Sequence, residues 1–207
     1  MGSIPTRRTI FKMHVVKLDL PSPADSTIKK IKQFVYELPK NDQAREWLNQ
    51  FYHNEINAVD QSFQLFDNIK DEVNAVYKKY FKCNILPVLG IMKNVTGGIA
   101  CLPPHCDRAR YTAINYYIEL GGPNVVTNFY NYHRLDNDLT EAKSVSYKEL
   151  ELEHQYCFEE QHWYAYNVQQ CHSVENVETT RIALMLGLET NLNFENFKLQ
   201  YHHLFLK

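Results

Sequence analysis

The stretch Pro103–Leu120 reads PPHCDRARYTAINYYIEL. Its second part, from Tyr111 to Leu120, is dense in aromatic and β-branched residues and stops at Gly121-Gly122-Pro123. A run of that composition, closed by turn residues, predicts a β-strand. Similar runs lie on both sides. Ile85 to Val95 precedes a turn at Thr96-Gly97-Gly98, and Val125–Tyr132, Tyr156–Phe158, Trp163–Val168 and Ile182–Leu188 follow. Several short strands separated by Gly, Pro, Asn and Asp turns predict a mostly β domain, a sandwich or jelly roll, with its core over about 85–188. The polar stretch Asp136–Leu152 reads as a long loop or insert that could act as a lid, and 189–207 as a C-terminal tail carrying an exposed His202-His203 pair.

Upstream, from about 23 to 81, the period changes to that of helices. Asp25 or Ser26 can cap a segment in which Ile28, Ile31, Val35 and Leu38 recur at helical spacing, ending near Pro39. A short second stretch holds Trp47, Leu48 and Phe51, and a third aligns Phe66, Ile69, Val73, Val76, Tyr77 and Tyr80. Apolar stripes of this kind face a core. The expectation is therefore one domain over 1–207, with N-terminal α-helices packed on one side of the β core.

The 207 residues balance 22 Lys and Arg against 24 Asp and Glu, a formal net charge of -2. No segment is strongly basic, so nucleic acid is not an expected partner. No apolar run reaches the length of a membrane span, and the first residues lack the apolar core of a signal peptide. The five cysteines show no CxxC spacing, which suits reduced thiols rather than a disulfide framework or a structural zinc site. A cytoplasmic protein without a membrane partner is expected.

The chemistry-bearing residues fall in two places. On a strand, residues two apart share a face, so His105 and Asp107 can reach one metal ion together. Further on, His172 is followed by a turn, and Arg181 opens the next strand. Two imidazoles and one carboxylate occupy one face of an octahedral metal and leave three positions open, as suits non-haem iron(II). Arg181 would supply a forked, permanently charged grip on a carboxylate, which Lys cannot copy. Singly, each residue reads as well in bland terms: a loop histidine, a turn aspartate, a hydrogen-bonded core histidine, half of an ion pair. Cys106 and Cys171 flank two of the candidate ligands, and strand alternation turns them away.

In order and spacing, His105-x-Asp107, 64 intervening residues, and His172-x-Val174-x-x-Val177-x-x-x-Arg181 resemble the double-stranded β-helix 2-oxoglutarate/iron(II) oxygenases. The prolyl-hydroxylase-like branch is the most similar in pattern. The resemblance covers about 85–188 and implies iron(II) held by His105, Asp107 and His172, with 2-oxoglutarate and O2 as co-substrates. It further implies that Arg181 and Tyr117, the second of two adjacent tyrosines, bind the 2-oxoglutarate carboxylate. Related halogenases replace the carboxylate ligand with a small residue, so retention of Asp107 implies hydroxylation or another oxidative outcome. The substrate expected is a small molecule or peptide, such as a free amino acid or a residue within a chain. Two other readings stay open: a cupin-like metalloenzyme that does not use 2-oxoglutarate, and a silent binding module of the same fold.

Overall fold

The computed structural model describes residues 14–37, 58–64, 67–94, 98–134, 139–140 and 142–206. The helix expected around Trp47, Leu48 and Phe51 lies outside them, as do Leu38 and Phe66.

Strand alternation builds two antiparallel sheets. In chain order the first elements are β1 (Val15–Leu18), α1 (Asp25–Glu37), β2 (Ala58–Gln64), α2 (Asp67–Phe81) and β3 (Ile85–Asn94). Then come β4 (Ala100–Cys106), β5 (Thr112–Leu120), β6 (Val126–His133), β7 (Lys143–Ser144) and β8 (Leu152–Tyr156). The chain finishes with β9 (Trp163–Asn167), β10 (Gln170–Val177), β11 (Arg181–Leu188) and α3 (Phe194–Tyr201). A six-stranded sheet runs β1-β9-β5-β11-β3-β2, and a five-stranded sheet runs β7-β4-β10-β6-β8. This two-sheet arrangement is the jelly roll that the strand pattern allowed and the double-stranded β-helix that the resemblance implied.

The six-stranded sheet separates its side chains by parity. On β5, Ile114, Tyr116 and Ile118 join Leu184 and Leu186 of β11 in a cluster with Ile31 and Val35 of α1, Val73 and Tyr77 of α2, and Phe197 of α3. Trp163 of β9 is 1% exposed at the centre of this cluster. Its ring meets that of Tyr77 edge-on at 4.9 Å. The Trp163 indole N–H and the Tyr77 hydroxyl both donate to the Pro21 carbonyl, each at 2.9 Å, which ties α2 and β9 to the connection before α1. The intervening residues Ala113, Tyr117, Ala183 and Met185 face the other way and pack with Phe129 of the second sheet. The space between the sheets is where a site can form.

Several sequence expectations need correction. The span read as helical contains a strand: β2 pairs antiparallel with β3 from Ala58↔Asn94 to Gln64↔Val88 and forms a sheet edge. Val59 and Phe63 are four apart, a spacing that fits a helix as well as a strand, and backbone pairing decides. His172 does not end its strand, because β10 continues to Val177 through register shifts that blur the alternation. The C-terminal tail is part of the core, with Phe194, Phe197, Tyr201 and Leu204 all buried, although His202 and His203 are exposed as expected. Within the supposed loop 136–152, β7 pairs with β4, placing Ser144 opposite His105, and Tyr147–Glu149 forms a 3-10 turn. Among the described residues, no helix is long and apolar enough to cross a membrane.

The turn after β5 depends on glycine. Gly121 has φ +89, and its carbonyl accepts from the N–H groups of Glu178 and Thr179, each at 2.8 Å. An added Cβ would lie 3.0 Å from Val177 Cγ1 and 3.2 Å from Arg181 Cβ. Left-handed backbone costs an L-residue about 1–2 kcal/mol before any clash. Gly121→Ala should therefore lose at least that much stability, read as a lower midpoint in chemical denaturation.

Candidate active site

The antiparallel pairing of β4 with β10 sets His105 directly across from His172, with ring centroids 4.5 Å apart. Each imidazole is fixed through Nδ1, which lies 2.8 Å from the Pro103 carbonyl in His105 and 3.0 Å from the Gln170 carbonyl in His172. Since a carbonyl only accepts, Nδ1 carries the proton in both rings. Nε2 then carries the lone pair that a metal would take, the usual way a protein orients such ligands.

Both Nε2 atoms point at one carboxylate oxygen. Asp107 Oδ1 lies 3.3 Å from His105 Nε2 and 3.6 Å from His172 Nε2. Asp107 is the first residue beyond β4 rather than a strand residue, and its N–H donates to the Val168 carbonyl at 3.0 Å. The three candidate ligand atoms lie within 4.8 Å of one another, in the only such group of His, Cys, Asp or Glu found among the described residues.

The electrostatics keep Asp107 and His172 in the form a cation needs. Burial pushes the Asp107 carboxyl up, but the Arg110 guanidinium and the two imidazoles outweigh it and hold the group well below the usual carboxylate range. Burial and the neighbouring His105 press His172 down to about 4, against the pull of Asp107. The carboxylate is charged and His172 is neutral at pH 7.

Arg181 opens β11 and is 7% exposed. Its guanidinium lies over the Tyr117 ring, 4.6 Å from the centroid, and its buried Nη1 has no hydrogen-bond partner. Leaving a buried donor on a cation unpaired is costly, and an anionic ligand would remove that cost. The Tyr117 hydroxyl meets that of Tyr166 at 3.1 Å, and the Asn115 amide reaches the same Tyr166 oxygen at 2.7 Å. Burial raises the Tyr166 phenol well above its ordinary range, so it stays a neutral hydrogen-bonding group.

A cavity of about 1140 Å³ between the sheets brings these groups together, with His105, Asp107, His172, Arg181 and Tyr117 all in its wall. Such a space exceeds that of one small dicarboxylate and leaves room for a second molecule. The donor set suits iron(II), and the unpaired guanidinium nitrogen suits a carboxylate. Cys106 and Cys171 belong to a separate buried cluster with Tyr130, turned away as alternation required.

Sequence reading passed over several members. Arg110 lines the cavity and grips Asp107, with Nε 2.8 Å and Nη2 2.7 Å from Oδ2. Asn115, Tyr166 and Thr127 line it too, and Asn115 Oδ1 and Thr127 Oγ1 are buried without partners. Asn115 carried a signal, being an amide inside an otherwise apolar strand. Tyr166 and Thr127 carried none.

No family model and no curated protein matches the chain by sequence. Its fold is similar to those of solved iron(II)/2-oxoglutarate oxygenases. A Pseudomonas putida prolyl-4-hydroxylase is 12% identical with a TM-score of 0.45, over 84% of this chain and 90% of that one. A Trichoplax adhaerens prolyl hydroxylase, solved with a peptide fragment of the hypoxia-inducible factor oxygen degradation domain, is 9% identical with a TM-score of 0.48, over 84% and 82%. The epimerase SnoN, solved with Fe3+, α-ketoglutarate and nogalamycin RO, is 10% identical with a TM-score of 0.45, over 84% and 77%.

Proposed function

We propose that this chain is a metal-dependent oxygenase of the double-stranded β-helix class. Within that class, we infer an iron(II)- and 2-oxoglutarate-dependent dioxygenase that hydroxylates an unactivated C–H bond of a small molecule or a peptide residue. The single observation that supports it best is one cavity holding both a three-ligand set and, apart from that set, a buried guanidinium nitrogen without a partner.

His105, Asp107 and His172 would hold the iron. Iron(II) with 2-oxoglutarate supplies the oxidising power: O2 gives one oxygen atom to the substrate as hydroxyl and one to succinate, and CO2 leaves. The chain's own residues do the rest. The Pro103 and Gln170 carbonyls keep the two imidazoles in the tautomer that presents Nε2. Arg181 anchors the distal carboxylate of 2-oxoglutarate, and Tyr117, its hydroxyl steadied by Tyr166, donates a second hydrogen bond there. The apolar wall formed by Ala183, Met185 and Val174 limits water around the reacting atoms. A cupin-like enzyme that does not use 2-oxoglutarate would have no use for an inward-facing Arg181.

The test is turnover. Purified protein supplied with iron(II), ascorbate and 2-oxoglutarate is offered amino acids and short peptides, and succinate is measured beside a mass gain of one oxygen in the substrate. Metal-dependent succinate in step with that gain supports the assignment. Oxidation of a substrate with no need for 2-oxoglutarate would refute it.

A further inference from the structure

Arg110 raises a question that a simple ion pair does not answer. Its Nε and Nη2 both contact Asp107 Oδ2, at 2.8 and 2.7 Å. Oδ1 instead faces the Nε2 atoms of the two histidines. The carboxylate is thus divided, one oxygen to the guanidinium and the other toward the metal position, so arginine and metal can hold it together.

The neighbouring backbone fixes that division. The Gln169 side-chain amide donates to the carbonyls of both Asp107 and Arg110, at 3.2 and 2.7 Å. Ala109 between them has φ 64, and its carbonyl accepts from the Asn191 amide at 3.3 Å. The third corner of the guanidinium, Nη1, rests 3.5 Å from Met185 Sδ on the inner face of β11. Neither Asp107 nor Arg110 can swing freely.

We propose that Arg110 is a positioning residue that restricts Asp107 to a single ligand oxygen. The inference rests on the metal reading above and adds to it. A carboxylate on a metal can bind through one oxygen or both. With His105 and His172 in place, a two-oxygen Asp107 would take one of the three positions left open. A 2-oxo acid needs two of those and O2 the third. Arginine cannot give up its proton under physiological conditions, so its hold on Oδ2 is permanent. Arg110 thereby keeps the co-substrate's place open.

Cobalt(II) serves as the probe, because its visible absorption reports coordination number without turnover. Wild type, Arg110→Met and Arg110→Lys are each titrated with cobalt(II), and the loaded proteins are then titrated with 2-oxoglutarate. The expected result for Arg110→Met is cobalt(II) affinity unchanged or tighter, an altered cobalt spectrum before any co-substrate is added, and roughly tenfold weaker 2-oxoglutarate binding. Arg110→Lys keeps the charge but offers no fork, so it should recover only part of that loss. Full recovery by lysine would show that charge alone matters and overturn the proposal. So would a wild-type spectrum in Arg110→Met, or parallel loss of cobalt affinity and melting temperature, which marks mere structural support. If Arg110→Met does not fold, Arg110→Lys decides by the same spectrum and affinity. Failure of the wild type itself to bind cobalt(II) would instead refute the metal reading.

Discussion

His172→Ala and Asp107→Ala should each abolish stable iron(II) binding and all 2-oxoglutarate turnover while the fold persists. Three donors within 4.8 Å make one site, and two cannot hold the metal in a fixed geometry. The folded state should tolerate the change, because neither side chain belongs to the large cluster between the six-stranded sheet and the helices. Loss of Asp107 leaves the Arg110 guanidinium without its carboxylate in a half-buried setting, so a modest fall in melting temperature should accompany that variant. Metal analysis of gel-filtered protein, beside far-ultraviolet circular dichroism, gives the answer. Full iron occupancy with normal succinate formation in either variant would remove that residue from the site.

The second large effect is on co-substrate binding. With a redox-inert divalent metal present, 2-oxoglutarate at a hundredfold excess over its dissociation constant should stabilise the protein by about 2.7 kcal/mol. For a domain of this size that is a rise of roughly 5–10 °C in melting temperature. Arg181→Ala should remove most of the ligand's part, because the distal carboxylate would then be buried without its cation, a loss of about 2–5 kcal/mol in affinity. Truncation removes the unpaired Nη1 but also the guanidinium's contact with the Tyr117 ring, so the shift caused by ligand, not the starting stability, is the quantity to compare. The measurement is a pair of melting curves, with and without 2-oxoglutarate. Equal shifts in wild type and Arg181→Ala would show that the anchor lies elsewhere.

Why part of this was legible in the sequence follows from the reach of each signal. Strands β3, β5, β6, β9 and β11 announce themselves because aromatic and branched residues crowd between turn formers. Strand β2 does not, since Ala58, Val59 and Phe63 leave its period ambiguous and pairing to β3 settles it. Strand β10 looked shorter than it is because Ser173, Glu175 and Asn176 interrupt the apolar pattern, and Asn176 has φ 62. The same contrast holds in the cavity. His105 and Asp107 are two residues apart, so their convergence follows from local geometry. Their meeting with His172 depends on the β4–β10 register, which spacing alone does not reveal. Tyr166, by contrast, reaches Tyr117 from another strand, and an isolated tyrosine in an aromatic run gives no hint of such a partner. The division of Asp107's oxygens between Arg110 and the histidines is finer still, being a matter of ångströms.

Joint binding of iron(II) and 2-oxoglutarate in one cavity, as proposed above, has an optical signature. A 2-oxo acid that chelates iron(II) gives a visible charge-transfer band, which a simple carboxylate does not. Anaerobic addition of 2-oxoglutarate to the iron(II)-loaded wild type should produce that band, and succinate in its place should not. The band should be absent from His172→Ala and should need far more 2-oxoglutarate in Arg181→Ala. Wild-type protein that retains iron(II) yet shows no band at saturating 2-oxoglutarate would rule out joint binding in this cavity.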